Sequence, residues 1–297
     1  MAQARKSVLV DPREAGPKPP FDAPQQPMPG SDQAMQPKAD HGEQSYKGCG
    51  KLEGAAALIT GADSGIGRAV AIAYAREGAD VLISYLDEHE DAEETAKLVR
   101  EAGRKAVTVA GDLGSQQHCE QLIERAIQEF GALDILVSNA AMQTVHKQVD
   151  QWSPEEFDRT YKTNVYAMFY LCRAAVPKMR AGGSIIATTS VQAFQPTGQL
   201  LAYSSTKGAI RTFIQAIAEL AIEKGLRANA VAPGPVWTPL IPSTMPPEKV
   251  KNFGGATVIG RPAQPAELAP AYVFLASNDA RFITGSVVDV TGGEQVP

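Results

Sequence analysis

The sequence predicts an α/β fold: one doubly wound parallel sheet of seven strands, with helices on both faces and an extended amino-terminal arm in front. Two observations carry that expectation. From Leu52 onward, short strand-like apolar runs alternate with helical stretches across short joints, and no linker-like segment interrupts residues 51–297. Ahead of that point the pattern fails. Residues 1–50 hold eight of the 21 prolines, crowded into Pro17-Lys18-Pro19-Pro20 and Pro24-Gln25-Gln26-Pro27-Met28-Pro29, without helical or strand periodicity.

The arm balances six basic residues against six acidic ones and is expected to be extended or polyproline-like. A solvated tail has little use for Phe21, Met28, Met35 and Tyr46, so the arm is expected to lie on the body or on a neighbouring subunit. A disordered tail is the competing reading. In the body, strands are expected at 55–60, 80–85, 106–110, 134–138, 183–189, 226–231 and 286–290. Helices are expected at 65–77, 88–102, 115–130, 154–180, 202–224 and 265–276, the fourth with a break near Pro177. There is no internal repeat.

Composition excludes several classes. A chain of 297 residues with 44% hydrophobic residues supports a sizeable core, and a net charge of −5 offers no footprint for nucleic acid or an anionic membrane. No apolar run approaches the roughly 18 residues of a membrane span, and the amino terminus lacks the apolar core of a secretion signal. Cys49, Cys119 and Cys172 are widely spaced and odd in number, which argues against disulfides and a zinc site and for a cytoplasmic protein with reduced thiols. His41, His89, His118 and His146 are scattered, so no metal is expected.

The first strand runs into a turn with glycines at 61, 65 and 67, and Arg68-Ala69-Val70-Ala71-Ile72-Ala73-Tyr74-Ala75 follows as a helix of small packing residues. Strand, glycine turn and helix together aim backbone amides and a helix N-terminus at a pyrophosphate. The glycines let the chain turn sharply, and a Cβ would block the phosphates. The Gly-x3-Gly-x-Gly spacing differs from the commonest dinucleotide fingerprint, and an ordinary tight turn would explain it equally well in isolation. Further on, Thr188-Thr189-Ser190 ends the fifth strand, and Tyr203-Ser204-Ser205-Thr206-Lys207 puts a phenol and an ammonium at i and i+4 on one helical face. A lysine cation beside the phenol is expected to lower a pKa near 10, bringing it within range of acid–base work. Taken alone, the pair could be a surface pair.

Together these motifs resemble the classical short-chain dehydrogenase/reductase family over roughly Leu52 to Gly293, and the resemblance implies a Rossmann-type fold with an NAD(H) or NADP(H) cofactor. Thr60, Gly61, Asp63, Ser64, Gly65, Ile66 and Gly67 fall on the cofactor turn. Asp112-Leu113 resembles the pair that contacts the adenine ring, and Ser138-Asn139-Ala140-Ala141 stands where the family has Asn-Asn-Ala-Gly. Asn164 matches the asparagine that organises a water-linked proton path, and with Ser190, Tyr203 and Lys207 it completes the catalytic tetrad. Pro233-Gly234-Pro235-Val236-Trp237-Thr238 resembles the segment closing over the nicotinamide, Thr238 bonding the carboxamide. The implied activity is reversible alcohol–carbonyl interconversion. The arm resembles a bacterial subgroup related to general-stress proteins and aldehyde reductases, which implies a homotetramer.

Tyr85 stands where NAD enzymes carry an acid and NADP enzymes a nearby cation, and with Asp87 and Glu88 following it the balance favours NAD(H). Residues 239–262 are expected to form a substrate lid, with Asn252-Phe253-Gly254-Gly255 as a hinge-like patch. Met142, Gln143, Gln192, Phe194 and Gln195 are expected to line a partly apolar pocket for a small carbonyl, sugar or alcohol. Two other readings stand beside the enzyme: a dinucleotide sensor without catalysis, and a carrier whose arm is a docking peptide.

Overall fold

Residues 9–294 are described in the computed structural model, so residues 1–8 of the expected arm and 295–297 of the expected catalytic domain lie outside it. Seven strands, β1 (Ala56–Thr60), β2 (Asp80–Tyr85), β3 (Ala106–Ala110), β4 (Ile135–Ser138), β5 (Ser184–Thr188), β6 (Arg227–Pro233) and β7 (Val287–Val290), form one sheet in the order β3-β2-β1-β4-β5-β6-β7. Every pairing is parallel. β1 is buried along its whole length because both faces are covered: Ala57 and Ile59 enter one core, Leu58 the other. The first core holds α1 (Gly65–Arg76), α2 (His89–Glu101) and α9 (Pro265–Ala276) against the sheet. The second holds α3 (Gln116–Phe130), α5 (Ala167–Ala175) and α6 (Leu201–Ala221). The chain's direction of winding reverses between β1 and β4, and a crevice at the carboxyl ends of these strands follows from that reversal.

The single helix expected at 154–180 is two helices. α4 (Pro154–Tyr161) passes through a π-helical turn, Lys162–Tyr166, into α5, which ends two residues before Pro177. One residue is inserted into the helical ladder, and such π insertions gather at functional positions. The connection from β6 to α9 contains two short helices, α7 (Leu240–Thr244) and α8 (Pro247–Lys251).

The described part of the arm, from residue 9 on, lies on the body of its own chain, and its helical structure among the described residues is two short 3-10 turns, Pro12–Glu14 and Asp32–Ala34. Phe21 stacks on Trp237 with ring centroids 4.2 Å apart, and both join Met35, Ile241 and Val250 in a third buried cluster. Further along, the Arg76 guanidinium donates to the carbonyls of Gly42, Glu43 and Tyr46. The Glu77 carboxylate accepts from the Tyr46 hydroxyl and from the amides of Cys49 and Lys51. The carboxyl end of α1 thus anchors a segment that has no ladder of its own to satisfy its backbone.

Candidate active site

A cleft of about 520 Å3 opens along the carboxyl ends of the strands. Gly61, Asp63, Ser64, Gly65 and Ile66 line it on one side; Asn139, Ala140, Pro233, Gly234, Val236 and Thr238 line it further along. Gly61 and Gly65 have φ of +62° and +50°, and a Cβ on either would approach Ala140 or Thr238 to 3.0 Å. Gly67 corrects the expectation that all three glycines clear space for phosphates. It does not line the cleft, and a Cβ there would fall 1.9 Å from the Gly61 carbonyl oxygen, so its absence lets the helix start pack on the strand end. Thr60 also stands behind the wall: its Oγ1 accepts from the amides of Asn139 and Ala140 at 3.0 and 3.1 Å. Asn139 in turn donates to the Thr60 carbonyl and accepts from Thr188 Oγ1, tying β1, β4 and β5 together.

Ser190, Tyr203 and Lys207 meet on the same cleft. Ser190 caps the turn after β5, accepting from the Gln192 amide, while α6 carries the phenol and the ammonium one turn apart. Lys207 Nζ lies 5.3 Å from the Tyr203 ring centroid and donates to the Thr188 carbonyl at 2.7 Å. Burial pushes Tyr203 up to about 12, against a smaller downward pull from its hydrogen bond with Ser190. Burial also draws Lys207 down to about 7. The expected lowering of the Tyr203 pKa is therefore reversed: packing around the pair disfavours both the phenolate and the ammonium. Asn164 sits on the π turn and does not line the cleft. Its Oδ1 accepts from the Met142 amide, and its Nδ2 donates to the Met142 carbonyl and to Thr206 Oγ1, so it braces the loop after β4 against the turn of α6 that carries Tyr203 and Lys207.

A family model described as enoyl-(acyl carrier protein) reductase matches residues 61–295. The chain belongs to the short-chain dehydrogenase/reductase family. It is 47% identical over 269 residues to general stress protein 39 of Bacillus subtilis, covering 91% of this chain and 94% of that protein. It is 42% identical over 275 residues to the glucose and ribitol dehydrogenase of Daucus carota, covering 91% and 94%. Among solved structures, a 3-ketoacyl-(acyl-carrier-protein) reductase from Brucella melitensis complexed with NADH superposes with a TM-score of 0.73 at 33% identity, over 82% of this chain and 98% of that one. Solved relatives hold NADP as well as NADH. The protein is an NAD(P)-dependent oxidoreductase that interconverts alcohols with aldehydes or ketones.

The cleft of this short-chain dehydrogenase fits such a cofactor: Gly61 and Gly65 place no Cβ on its wall, and the first residues of α1, Gly65 and Ile66, line it. At its other end lie Tyr85, Leu86, Glu88, Asp112 and Leu113. Tyr85 bonds His89 Nδ1 at 2.9 Å, so its hydroxyl is committed to α2. Burial raises Asp63 to about 6 and Glu88 to about 7. Arg159 also lines the cleft, though distant in sequence, but its guanidinium is paired with Asp112 at 2.6 Å.

Met142, Gln143 and Gln192 line the cleft as expected, whereas Phe194 and Gln195 do not; Phe194 packs under the Arg211 guanidinium, 4.4 Å away. Gln143 is buried and donates to Thr244 Oγ1 at 2.7 Å, linking the loop after β4 to α7. The hinge-like patch is tightly seated, since a Cβ on Gly254 would meet the Pro262 backbone at 2.3 Å. Leu240, Ile241, Met245 and Phe253, expected in the lid segment, line the cleft too; sequence reasoning missed Leu200 and Glu294, and above all the arm residues Met28, Pro29 and Gly30, as parts of the wall. Only Met28 carried a signal, as an apolar residue in an otherwise polar stretch.

Proposed function

We propose that Tyr203 is the general acid and base of this interconversion, with Ser190 holding the substrate oxygen and Lys207 supporting the phenol. The reading rests on the convergence of these three side chains on the cleft that the glycine turn opens. A bound dihydronicotinamide supplies the hydride. In reduction, the Ser190 hydroxyl donates to the carbonyl oxygen and the Tyr203 hydroxyl passes its proton to that oxygen. The phenolate left behind is held by the Lys207 ammonium, and in the oxidative direction that phenolate takes the proton back from the alcohol and becomes the phenol again. Asn164 acts at one remove, through Met142 and Thr206.

The cofactor would lie on Gly61, Asp63, Ser64, Gly65 and Ile66, with Tyr85, Asp112 and Leu113 around the adenosine, Asn139 and Ala140 beneath it, and Pro233, Gly234, Val236 and Thr238 at the nicotinamide. Thr60 and Gly67 shape that bed from behind. NAD(H) is the favoured form, since Tyr85 is followed by the acids Asp87 and Glu88 and Arg159 on the cleft wall is already paired with Asp112, which leaves a 2′-phosphate without an arginine there. Residues 239–262 form the substrate lid, and Met142, Leu200, Ile241 and Phe253 suit a small, partly apolar substrate. The protein works in the cytoplasm as a homotetramer, for which the half-exposed aromatic face of Phe157, Tyr166 and Phe169 on α4, the π turn and α5 is available. No helix among the described residues is long and apolar enough to cross a membrane.

The test is the melting-temperature shift with NADH and with NADPH, then turnover on an aldehyde, ketone and sugar panel. Tyr203→Phe should lower turnover by roughly 10²–10⁴-fold while dinucleotide affinity stays within about three-fold. Wild-type turnover by a folded Tyr203→Phe variant would sink the assignment.

A further inference from the structure

Arm residue Asp32 stands at the start of α1, more than thirty residues away in sequence, and both are buried. Its Oδ2 accepts from the Gly65 amide at 3.0 Å, and the same oxygen lies 3.1 Å from His41 Nε2 and 3.5 Å from Arg68 Nε. The Asp32 amide is fixed in turn, donating to Asp91 Oδ2 on α2 at 2.9 Å. Arg68 spans the cluster, donating to the carbonyls of Asp63 and Asp91 at 2.9 Å. His41 closes it from the arm, with Glu43 on its other nitrogen at 3.0 Å. A few residues before Asp32, Met28, Pro29 and Gly30 reach the cleft, and a Cβ on Gly30 would meet the Pro239 carbonyl oxygen at 2.5 Å. The arm therefore touches the glycine turn on one bank and the head of the lid segment on the other.

The first amides of a helix have no partner within it, and a dinucleotide site depends on where they point. Asp32 takes the Gly65 amide, which leaves the neighbouring Ile66 amide, beside the cleft, for an anion. A carboxylate here would ordinarily repel a pyrophosphate. Arg68 and His41 face it inside the protein, Arg68 being shared with Glu94 at 3.2 Å and Asp91 at 3.6 Å; burial disfavours the His41 imidazolium, but the carboxylates of Asp32 and Glu43 outweigh it and lift His41 to about 9. We propose that Asp32, held between His41 and Arg68, is a positioning residue that fixes the Gly65 turn in its binding geometry, making the arm a working part of the dinucleotide site. The inference rests on the cofactor placement given above.

The test uses the full chain. Asp32→Ala should weaken binding of NADH or NADPH, followed by fluorescence titration, by roughly ten-fold or more, the scale of one lost hydrogen bond to a charged group. Turnover at saturating dinucleotide should stay within about three-fold. Amide exchange of residues 61–68 in the cofactor-free protein should quicken, and Asp32→Asn, which keeps one acceptor oxygen, should restore part of both. A folded Asp32→Ala protein that binds as wild type, or that loses affinity with no change in exchange at 61–68, overturns the proposal. If Asp32→Ala does not fold, His41→Gln decides: weaker binding with faster exchange at 61–68 supports the role, and native values for both overturn it. Should wild-type protein bind neither dinucleotide, the function proposed above fails, whereas exchange at 61–68 still reports on Asp32.

Discussion

Lys207→Met should stabilise the cofactor-free protein while abolishing its chemistry. The ammonium is 1% exposed, and its one hydrogen-bond acceptor among the described residues is the Thr188 carbonyl at 2.7 Å. Burial lowers its pKa from 10.5 to about 7. At about 1.36 kcal/mol per pH unit, that displacement corresponds to about 5 kcal/mol against the folded state. The Thr188 hydrogen bond, lost in the variant, offsets about 1–2 kcal/mol, and methionine matches the lysine stem in length and volume. The net gain is therefore about 3 kcal/mol, or about 6–12 °C in melting temperature for a chain of this size. The sign with pH follows from proton counting. Between about 7 and 10.5 the unfolded chain holds the Lys207 proton and the folded chain does not, so this lysine makes stability rise with pH across that window. The advantage of the variant is full at and below pH 7 and fades as pH approaches 10.5. Urea unfolding of both proteins without dinucleotide, at about pH 6.5 and about pH 9.5, measures the difference, alongside turnover, which should fall at least about 100-fold. A variant less stable than wild type at the lower pH, or a difference that does not change with pH, would refute the picture of a lysine held at the expense of stability.

Gly67→Ala should destabilise the protein by about 3 kcal/mol or more, because its Cβ would lie 1.9 Å from the Gly61 carbonyl oxygen and the obstacle is backbone; urea unfolding would show it, and native stability would mean the turn can open. His41 should impose the opposite pH slope to Lys207. Its folded pKa of about 9 lies above the ordinary 6.5, so its contribution is complete below pH 6.5 and disappears as pH rises through 9. Comparing the pH dependence of unfolding in wild type and His41→Gln isolates that slope, and parallel curves would contradict it. At the adenosine end, Glu88→Arg replaces a carboxylate on the cleft wall by a cation, and should raise NADPH affinity relative to NADH by at least about ten-fold; an unchanged ratio of dissociation constants would show that Glu88 does not face the ribose.

The strands, most helices and the residues that meet on the cleft were legible because each is written locally. A short apolar run, a glycine turn and an i, i+4 pair carry their geometry in their spacing, and the sheet brings their ends together. Three features were not legible for one shared reason: their cause lies in distant contacts. The π turn at Lys162–Tyr166 places Asn164 against Met142 and Thr206, from segments on either side of it in sequence, and nothing in the helical pattern marks the inserted residue. The clearance at Gly67 depends on the Gly61 carbonyl oxygen, and its spacing alone cannot distinguish a helix-packing glycine from a phosphate-facing one. The pKa of Tyr203 depends on how far the surrounding chain buries the phenol, and the Tyr-x3-Lys pair said nothing of that.

The arm shows most clearly how a segment without periodicity can still be specified. Its information is sparse: Phe21 meets Trp237, the Trp237 indole donates to the Pro37 carbonyl at 2.8 Å, and Asp32 meets Gly65 and Asp91. Between these points the chain needs only to be extended, and proline supplies that at low entropic cost. Such a segment cannot hold its shape alone: apart from local turns such as Glu14 to Asp11 and Met35 to Asp32, its backbone bonds reach the body, as in Phe21 to Lys251 and Gln26 to Pro242. Its docking is thus conditional on the glycine turn and the head of α7 being in place. The dependence also runs the other way, since the Gly65 amide finds its partner in the arm. Two elements that complete each other across a binding cleft restrict the conformations open to either, which is how a sequence without secondary structure comes to bear on a site it scarcely lines.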